Sequence, residues 1–308
     1  MSLVVTGATG RFGRHVIEAL SARVPAEGIA AVVRDRARAA DLRARGIDVR
    51  LADYDRPDTL KGAFAAGDRV LFVSGNEAGR RVPQHRAVVE AARHAGVALL
   101  AYTGVLGGPK ADFLLAAEHK ATEQAILESS LPYVFLRNGW YHENYTENLA
   151  PVLRQGYVMA SAGDGRVASA ARADYAAAAA AVLTGEGHEG RAYELSGDTA
   201  WSFPEFAAEV ARQSGREVGY RDLSPQEHLR MLAEHGVPEQ LSEVLVDVDG
   251  AVKRGLLSAT TGELAQLIGR PTTPLSAAVA ASLDGRAATG STPSRHGSPE
   301  PEVPAARG

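Results

Sequence analysis

The chain has 308 residues, of which 45% are hydrophobic and 23% are charged, and its formal net charge is -4 at pH 7. This size and composition are typical of one large globular domain or two small ones. The slightly acidic balance, without a long basic run, argues against a nucleic-acid partner. The absence of cysteine excludes disulfides, thiolate nucleophiles and cysteine metal sites, and we predict no metal site.

The first predicted strand, residues 3–6, runs into glycines at positions 7, 10 and 13 and then into a helical pattern. A strand, a glycine-rich turn and a helix form the context in which such a motif binds a dinucleotide, although the spacing here is G-x-x-G-x-x-G. Gly7 allows a tight turn, Gly10 leaves room for a pyrophosphate, and Gly13 lets the helix pack closely on the strand. The amides at the helix N-terminus then face the phosphates. The alternative is a tight turn without a ligand.

The second predicted strand, residues 29–33, ends at Arg34, about 20 residues after the glycine motif. An acidic residue at this place would bond the ribose 2′-hydroxyl of NAD, whereas an arginine fits the 2′-phosphate of NADP. Asp35 is the competing acid, but it would point the other way if the strand continued. We therefore predict NADPH as the cofactor. The alternative is that Arg34 belongs to the solvated helix face that follows.

Strands and helices alternate up to residue 137, which predicts an α/β fold with a doubly wound parallel sheet of Rossmann type. Further strands are predicted at 48–51, 69–73, 97–103 and 133–137, and helices at 83–95 and 114–129. Asp53, just past a strand end, either meets the adenine ring or caps the next helix. Ser74, Gly75 and Asn76 follow another strand end and suit a cofactor wall.

The chain is less regular after residue 150. We assign residues 1–150 to an NAD(P)-binding Rossmann domain, to which parts of 151–200 return, and residues 151–284 to a small C-terminal α+β lobe that caps the substrate. Predicted elements of the second half are a helix from Arg172, a strand at 192–196 and helices near 204–214, 225–235, 239–251 and 262–268. Residues 285–308, rich in Gly, Pro, Ser and Ala, are predicted to form a disordered tail.

Two observations bear on location. The longest nearly apolar stretch, residues 175–183, is too short to cross a membrane. The chain begins directly in a predicted core strand, so we expect no signal peptide. We predict a cytoplasmic protein without membrane insertion.

Residues 140–145 form an aromatic and polar segment in a chain with only 6% aromatic residues. The segment includes Trp140, Tyr141 and His142 and comes just after a predicted strand. Such a cluster can wall a pocket for a flat ring. The alternative is a packed connector between the sheet and the lobe.

These stretches resemble a known family. Residues 6–13, 33–34, 83–85 and 137–144 are similar to the NmrA-like branch of the atypical short-chain dehydrogenases. Residues 172–175, 188–190 and 197–201 narrow the resemblance to the bacterial NADPH:quinone oxidoreductases of the type 2 class within that branch. The likeness runs from about Leu3 to about Leu283.

The resemblance implies a Rossmann domain that binds NADPH, a small C-terminal lobe, and a quinone or other planar acceptor between them. Together with Gly13 of the motif, the predicted cofactor contacts are Gly7, Ala8, Thr9, Gly10, Arg11, Phe12, Arg34, Ser74, Gly75, Asn76, Asn138, Gly139, Trp140, Tyr141, His142 and Glu143. Gly104 stands where the subgroup tends to carry a serine, and the loop 106–113 also differs. These departures leave the choice of acceptor open.

No tyrosine is followed four residues later by a lysine. Typical short-chain dehydrogenases use that pair to move a proton, so its absence argues against an ordinary alcohol dehydrogenase or sugar epimerase. A quinone accepts a hydride readily, so proximity and hydrogen-bond donors to the developing oxyanion suffice. The predicted catalytic donors are Asn138, Tyr141 and His142. His119 and Lys120 are further candidates, and the alternative is that they belong to a solvated helix face with Glu118 and Glu123.

We predict direct hydride transfer without a flavin, since no second nucleotide motif is present. A different class stays open, because the missing Tyr-x-x-x-Lys pair is equally compatible with a non-catalytic NADP-binding redox sensor or regulator of the NmrA type. A third possibility is an NADPH-dependent reductase of another planar enone or aromatic compound. The sequence leaves open the natural acceptor and whether the chain forms a homo-oligomer.

Overall fold

The structure is a computed structural model that describes residues 1–289 apart from 76, 78 and 148, with side chains described as far as 285. Its strands are β1 (Leu3–Thr6), β2 (Ile29–Val33), β3 (Asp48–Leu51), β4 (Arg69–Phe72), β5 (Leu99–Val105), β6 (Tyr133–Asn138), β7 (Tyr157–Ala160), β8 (Arg166–Val167), β9 (Arg191–Leu195), β10 (Trp201–Ser202) and β11 (Gly219–Asp222). Its α-helices are α1 (Arg11–Ser21), α2 (Ala40–Ala44), α3 (Pro57–Leu60), α4 (Arg81–Ala95), α5 (Leu114–Glu128), α6 (Glu143–Thr146), α7 (Ala150–Gln155), α8 (Arg172–Thr184), α9 (Phe203–Ser214), α10 (Pro225–Glu234), α11 (Glu239–Lys253), α12 (Glu263–Ile268) and α13 (Leu275–Thr289).

Seven strands form one sheet in the order β3-β2-β1-β4-β5-β6-β9, and every pairing in it is parallel. Parallel strands are covered on both faces by their crossover helices and therefore read as continuous apolar runs. Every residue of β1 and β2 is buried accordingly. The predicted doubly wound α/β fold is confirmed.

Neighbouring residues of each strand supply the two cores, because side chains alternate across a sheet. Val5 packs with α1 and α8 on one face, and Val4 packs with α4 and α5 on the other. Helix α8 packs against α1, and its buried residues include the run Ala178, Ala179 and Ala180. These small side chains let the helix lie close to the sheet.

A smaller lobe lies beyond the sheet and contains two short two-stranded sheets, β7 with β11 and β8 with β10. Helix α9 begins at a capping box, with the Ser202 hydroxyl accepting a hydrogen bond from the Glu205 amide. A third apolar core fills the lobe and includes Trp201, Phe203 and Phe206. Between lobe segments, α8 and β9 return to the large sheet.

The last helix, α13, runs to Thr289, five residues into the segment that the sequence assigns to a disordered tail. The helix thus overlaps the first residues of that segment, and the tail stays a prediction. The remainder, 290–308, lies outside the described residues. Among the helices that the structure describes, none is long and apolar enough to cross a membrane.

Candidate active site

The glycine turn after β1 has the geometry that its spacing predicts. Gly7 adopts a left-handed backbone conformation, with φ of +59°, and its carbonyl accepts a hydrogen bond from the Gly10 amide at 2.9 Å. A Cβ atom on Gly13 would lie 2.3 Å from the Gly7 carbonyl oxygen, so this position has no room for a side chain. Helix α1 therefore starts close against β1, and its first amides point toward the sheet edge.

A cleft of about 270 Å³ opens at this carboxyl edge of the sheet, the edge where open α/β sheets bind ligands. Nine of the predicted cofactor residues line it: Gly7, Thr9, Gly10, Arg11, Phe12, Gly13, Arg34, Ser74 and Gly75. Also in the lining are Asp35 and Asp53, which the sequence weighed for the ribose and the adenine ring, and Tyr54 beside Asp53. The sequence did not put forward the remaining lining residues, Val32, Val33, Arg38, Ala52, Val73, Glu77 and Gln84. Ala8 is completely buried beneath the turn and does not line the cleft. The predicted contact at Asn76 lies outside the described residues.

Arg34 projects from the end of β2 into the cleft with 60% of its side chain exposed. Its guanidinium lies 3.5 Å from a carboxylate oxygen of Glu77. The competing acid, Asp35, accepts a hydrogen bond from the Ala37 amide at 2.8 Å and so closes the turn after the strand. Asp53 likewise accepts a hydrogen bond from the Asp55 amide at 3.1 Å. Asp35 and Asp53 thus stabilise local turns, while Arg34 faces the ligand space.

Side chains from other elements fix the loop after β4. The Ser74 amide donates to Thr103 Oγ1 at 2.8 Å, and the Gly75 amide donates to His85 Nε2 at 3.0 Å. Arg81 Nε donates to the Gly75 carbonyl at 2.8 Å. The supporting roles of Arg81 and Thr103 were not predicted from the sequence. Residues 83–85, which include His85 and carry part of the family resemblance, were the sequence signal for this support.

His85 must be neutral to accept the Gly75 amide. Burial, assisted by the charge of Arg81, lowers the pKa of His85 to about 2. The Thr122 hydroxyl donates to the Glu118 carbonyl, so it accepts from His85 Nδ1 at 2.9 Å. Both ring nitrogens therefore serve to hold the loop.

Neither of the further donor candidates on α5 lines the cleft. His119 is buried behind the loop, where its Nδ1 lies 2.7 Å from the Tyr102 hydroxyl. Burial and the charge of Arg81 lower the pKa of His119 to about 3. His119 therefore belongs to the polar core, and Lys120 is a half-buried residue beside it.

Asn138 and Tyr141 lie together at the end of β6. The Tyr141 ring stacks on Phe12 of the glycine turn, with ring centroids 6.2 Å apart. Burial raises the pKa of Tyr141, and a hydrogen bond with Asn138 and the charge of Arg172 only partly oppose this rise. The hydroxyl therefore stays protonated at neutral pH and can act as a hydrogen-bond donor.

His142 has no free ring nitrogen to offer an acceptor. It is 2% exposed, its Nδ1 lies 2.8 Å from Ser169 Oγ, and its Nε2 lies 2.9 Å from the Thr273 carbonyl. The Thr273 carbonyl can only accept, so Nε2–H donates to it and Nδ1 accepts from the Ser169 hydroxyl. The same Ser169 oxygen accepts a hydrogen bond from Trp201 Nε1. The predicted catalytic role of His142 conflicts with this geometry, and we do not retain it.

The other residues of segment 138–143 are also engaged within the protein. The Gly139 amide donates to the Leu195 carbonyl at 2.7 Å, and Trp140 packs on the apolar core of the lobe. Both carboxylate oxygens of Glu143 accept the Arg172 amide, at 2.9 and 3.0 Å, and so cap α8. None of these three lines the described cleft, and their cofactor contacts stay predictions.

A chain of charges joins the glycine turn to this segment. Arg11 pairs with Glu147, whose other carboxylate oxygen accepts Arg172 Nη1 at 2.7 Å. The Arg172 guanidinium in turn lies 5.1 Å from the centre of the Tyr141 ring, within the range of a cation–π contact. The glycine turn and residues 138–143 are thus connected through both aromatic and ionic contacts.

The loop 106–113, which departs from the subgroup pattern, is held by Arg137. This arginine pairs with Glu123 at 2.7 Å and Glu194 at 2.8 Å. Gly108 lies so close that a Cβ there would come 2.2 Å from the guanidinium carbon. The Gly107 amide donates to Glu194 at 2.6 Å. This cluster of charges fixes the loop above the end of β6.

A parallel sheet with a glycine turn leading into a helix N-terminus and an arginine after the second strand defines an NAD(P)-binding α/β protein. Residues 7–186 match the profile of a family described as NAD(P)H-binding. The chain belongs to the NAD(P)H-binding NmrA-like family, and the predicted resemblance is confirmed.

Individual relatives agree with this assignment. The chain is 45% identical to quinone oxidoreductase 2 of Escherichia coli (strain K12) over 277 residues, covering 90% of this chain and 97% of that protein. The crystal structure of the E. coli NADPH-dependent quinone oxidoreductase QOR2 complexed with NADPH is 44% identical, with a TM-score of 0.88 and coverage of 91% of this chain and 99% of that one. The Citrobacter sp. triphenylmethane reductase complexed with NADP(H) is 39% identical, also with a TM-score of 0.88, over 91% and 100% of the two chains.

Proposed function

We propose that this chain is an NADPH-dependent oxidoreductase that transfers a hydride to a quinone or a similar planar acceptor. The observation that carries this proposal is the 45% identity to E. coli quinone oxidoreductase 2 over nine tenths of the chain. The structure of the E. coli enzyme with NADPH superimposes over the same extent. The glycine turn and Arg34 of this chain fit the same cofactor.

The cleft suits the adenosine and phosphate part of NADPH. Amides at the start of α1 would hold the pyrophosphate, because a helix N-terminus attracts anions and Gly10 adds no side chain there. Arg34 would hold the 2′-phosphate, and the fixed backbone of Ser74 and Gly75, which also line the cleft, would form its wall. When bound, NADPH supplies the hydride.

Tyr141 and Asn138 are the proposed donors to the acceptor oxygen that gains negative charge. The raised pKa of Tyr141 keeps its proton in place, so it stabilises the oxyanion by donating a hydrogen bond without giving up that proton. Its stacking on Phe12 orients it toward the glycine turn. His142 and Glu143 act as positioning residues that tie this segment to the lobe and to α8.

The cytoplasmic location predicted from the sequence is likewise a proposal, as is a homo-oligomeric state. Cell fractionation tests the first, and sedimentation of the purified protein tests the second. The proposed small, planar acceptor depends neither on the location of the protein in the cell nor on its oligomeric state.

Oxidation of NADPH by the purified, flavin-free protein tests the proposed function. We expect NADPH to be consumed when a small benzoquinone is added and to be preferred over NADH. The Arg34→Ala variant, purified identically, controls for contaminating reductases. Tight NADPH binding without oxidation across several quinones would contradict the proposal and favour a non-catalytic regulator of the NmrA type.

A further inference from the structure

Glu77 lies on the wall of the cofactor cleft beside Arg34, the residue that would hold the 2′-phosphate. Its Oε1 is 3.5 Å from Arg34 Nη1, and only 15% of its side chain is exposed. Asp35 and Asp53 line the same cleft, but each accepts a hydrogen bond from the backbone of its own turn. Glu77 is therefore the carboxylate that the cleft directs at Arg34.

Polar contacts from the start of α4 hold Glu77 in this place. Its Oε2 accepts a hydrogen bond from Gln84 at 3.1 Å and lies 3.4 Å from the Arg80 guanidinium. Gln84 and Arg80 are themselves anchored on Asp55, at 3.0 and 2.6 Å. The network thus fixes the Glu77 carboxylate beside Arg34.

We propose that Glu77 is a specificity-determining residue that competes with the 2′-phosphate of NADPH for Arg34 and thereby reduces the preference for NADPH over NADH. The inference rests on the proposed function in that NADPH is the cofactor. A 2′-phosphate that approaches Arg34 must displace Glu77 or meet its charge at close range, and both are unfavourable. NADH has no 2′-phosphate, so it leaves the Arg34–Glu77 pair intact.

The test compares NADPH and NADH binding to Glu77→Gln by nicotinamide fluorescence, without any acceptor. Glutamine keeps the size of the side chain and can still contact Gln84. We expect NADPH to bind about threefold more tightly, the scale of one partly exposed ion pair, and NADH to be unchanged. Glu90→Gln removes the same charge from the exposed face of α4, where Glu90 pairs with Arg93, and is expected to change neither.

Two further variants make the result decisive. Glu77→Ala should shift the NADPH to NADH affinity ratio in the same direction, and thermal unfolding checks that both variants are folded. In the Arg34→Ala background, Glu77→Gln should raise the ratio less, because the competition for Arg34 is gone and only the repulsion between the carboxylate and the 2′-phosphate is relieved.

An unchanged or lowered ratio in folded Glu77 variants, or a full effect that persists without Arg34, would overturn the inference while leaving the proposed function intact. Failure of the wild-type chain to bind NADPH at all would overturn both.

Discussion

The two halves of the site are built differently. The half formed by the glycine turn, Arg34 and the loop after β4 is an open cleft whose lining groups face a space for a ligand. The half formed by residues 138–143 is packed: His142, Glu143 and Gly139 have their polar atoms bonded to the lobe, to α8 and to β9. Tyr141 and Asn138 do not line the described cleft either, but Tyr141 stacks on Phe12, which does.

This difference separates binding from chemistry. The open half contains backbone amides and an arginine, which recognise phosphates but do not change protonation state near neutral pH. The packed half contains a phenol kept protonated by burial and a set of side chains that hold it in place. We expect substitutions in the first half to act on cofactor affinity and substitutions in the second to act on turnover.

The largest effect is expected for Gly13→Ala in the open half. The new Cβ would lie 2.3 Å from the Gly7 carbonyl oxygen, so α1 must shift, at a cost of about 2–3 kcal/mol in the free energy of unfolding and with loss of NADPH binding. Denaturant unfolding and cofactor titration measure both. Gly28→Ala is the control, because nothing lies within 4 Å of its Cβ position. Wild-type stability and binding in Gly13→Ala would show that the close approach is unnecessary.

Arg34→Ala sharpens the comparison within the open half. Loss of a charged hydrogen-bond donor to the 2′-phosphate should weaken NADPH binding by about 1.5–3 kcal/mol, with little change for NADH. Parallel titrations with both cofactors measure the difference. Arg36→Ala, an exposed arginine outside the cleft lining, should leave both affinities unchanged. Equal losses for the two cofactors in Arg34→Ala would remove the basis for NADPH preference.

We expect acid to lower the stability of the protein through His85, which holds the loop of the open half, and His119, which lies near it. The pKa of His85 is lowered to about 2 and that of His119 to about 3, below the ordinary histidine value of about 6.5. Each ring is neutral when folded and binds a proton on unfolding below that value. The free energy of unfolding should therefore fall as pH drops from about 6.5 toward about 3, by up to about 1.4 kcal/mol per pH unit for each histidine.

Urea unfolding at several pH values measures this dependence. His85→Gln should reduce the slope between about pH 6 and 4, since one titrating group is removed. His235→Gln, on the exposed end of α10, should not. An identical slope in His85→Gln and the wild type would show that the buried ring does not control acid stability.

Tyr141→Phe tests the packed half and carries the smallest expected effect. Removing one neutral hydrogen-bond donor should lower kcat with a benzoquinone about fivefold, or about 1 kcal/mol, and leave the Kd for NADPH unchanged. Tyr157→Phe removes the hydroxyl of an exposed tyrosine at the start of β7 and is the matched control. Reduced stability with unaltered turnover would identify the segment as a packed connector, which is the alternative that the sequence left open.

The open half could be predicted from the sequence because its geometry is local. The glycine spacing and the apolar run of β2, whose predicted and observed bounds coincide at Ile29–Val33, place the turn and Arg34 within one βαβ unit. The long strands and helices were predictable for the same reason, since each carries enough residues to show a period.

The rest depends on contacts between distant parts of the chain. The two-residue strands β8 and β10 have no detectable alternation and form only through each other. His142 is bonded to Ser169 and to Thr273, 27 and 131 residues away, and no local pattern indicates this. Glu77 reaches Arg34 from a loop without periodicity.

The most direct test of the account is a single turnover of the flavin-free protein with NADPH deuterated at the transferred position. Rapid mixing with a small benzoquinone follows the loss of NADPH absorbance before product release. Direct hydride transfer predicts quinone-dependent oxidation that is clearly slower with the deuterated cofactor. NADPH that binds and stays reduced in the presence of the quinone would contradict the account and assign the cleft to a redox-sensing protein.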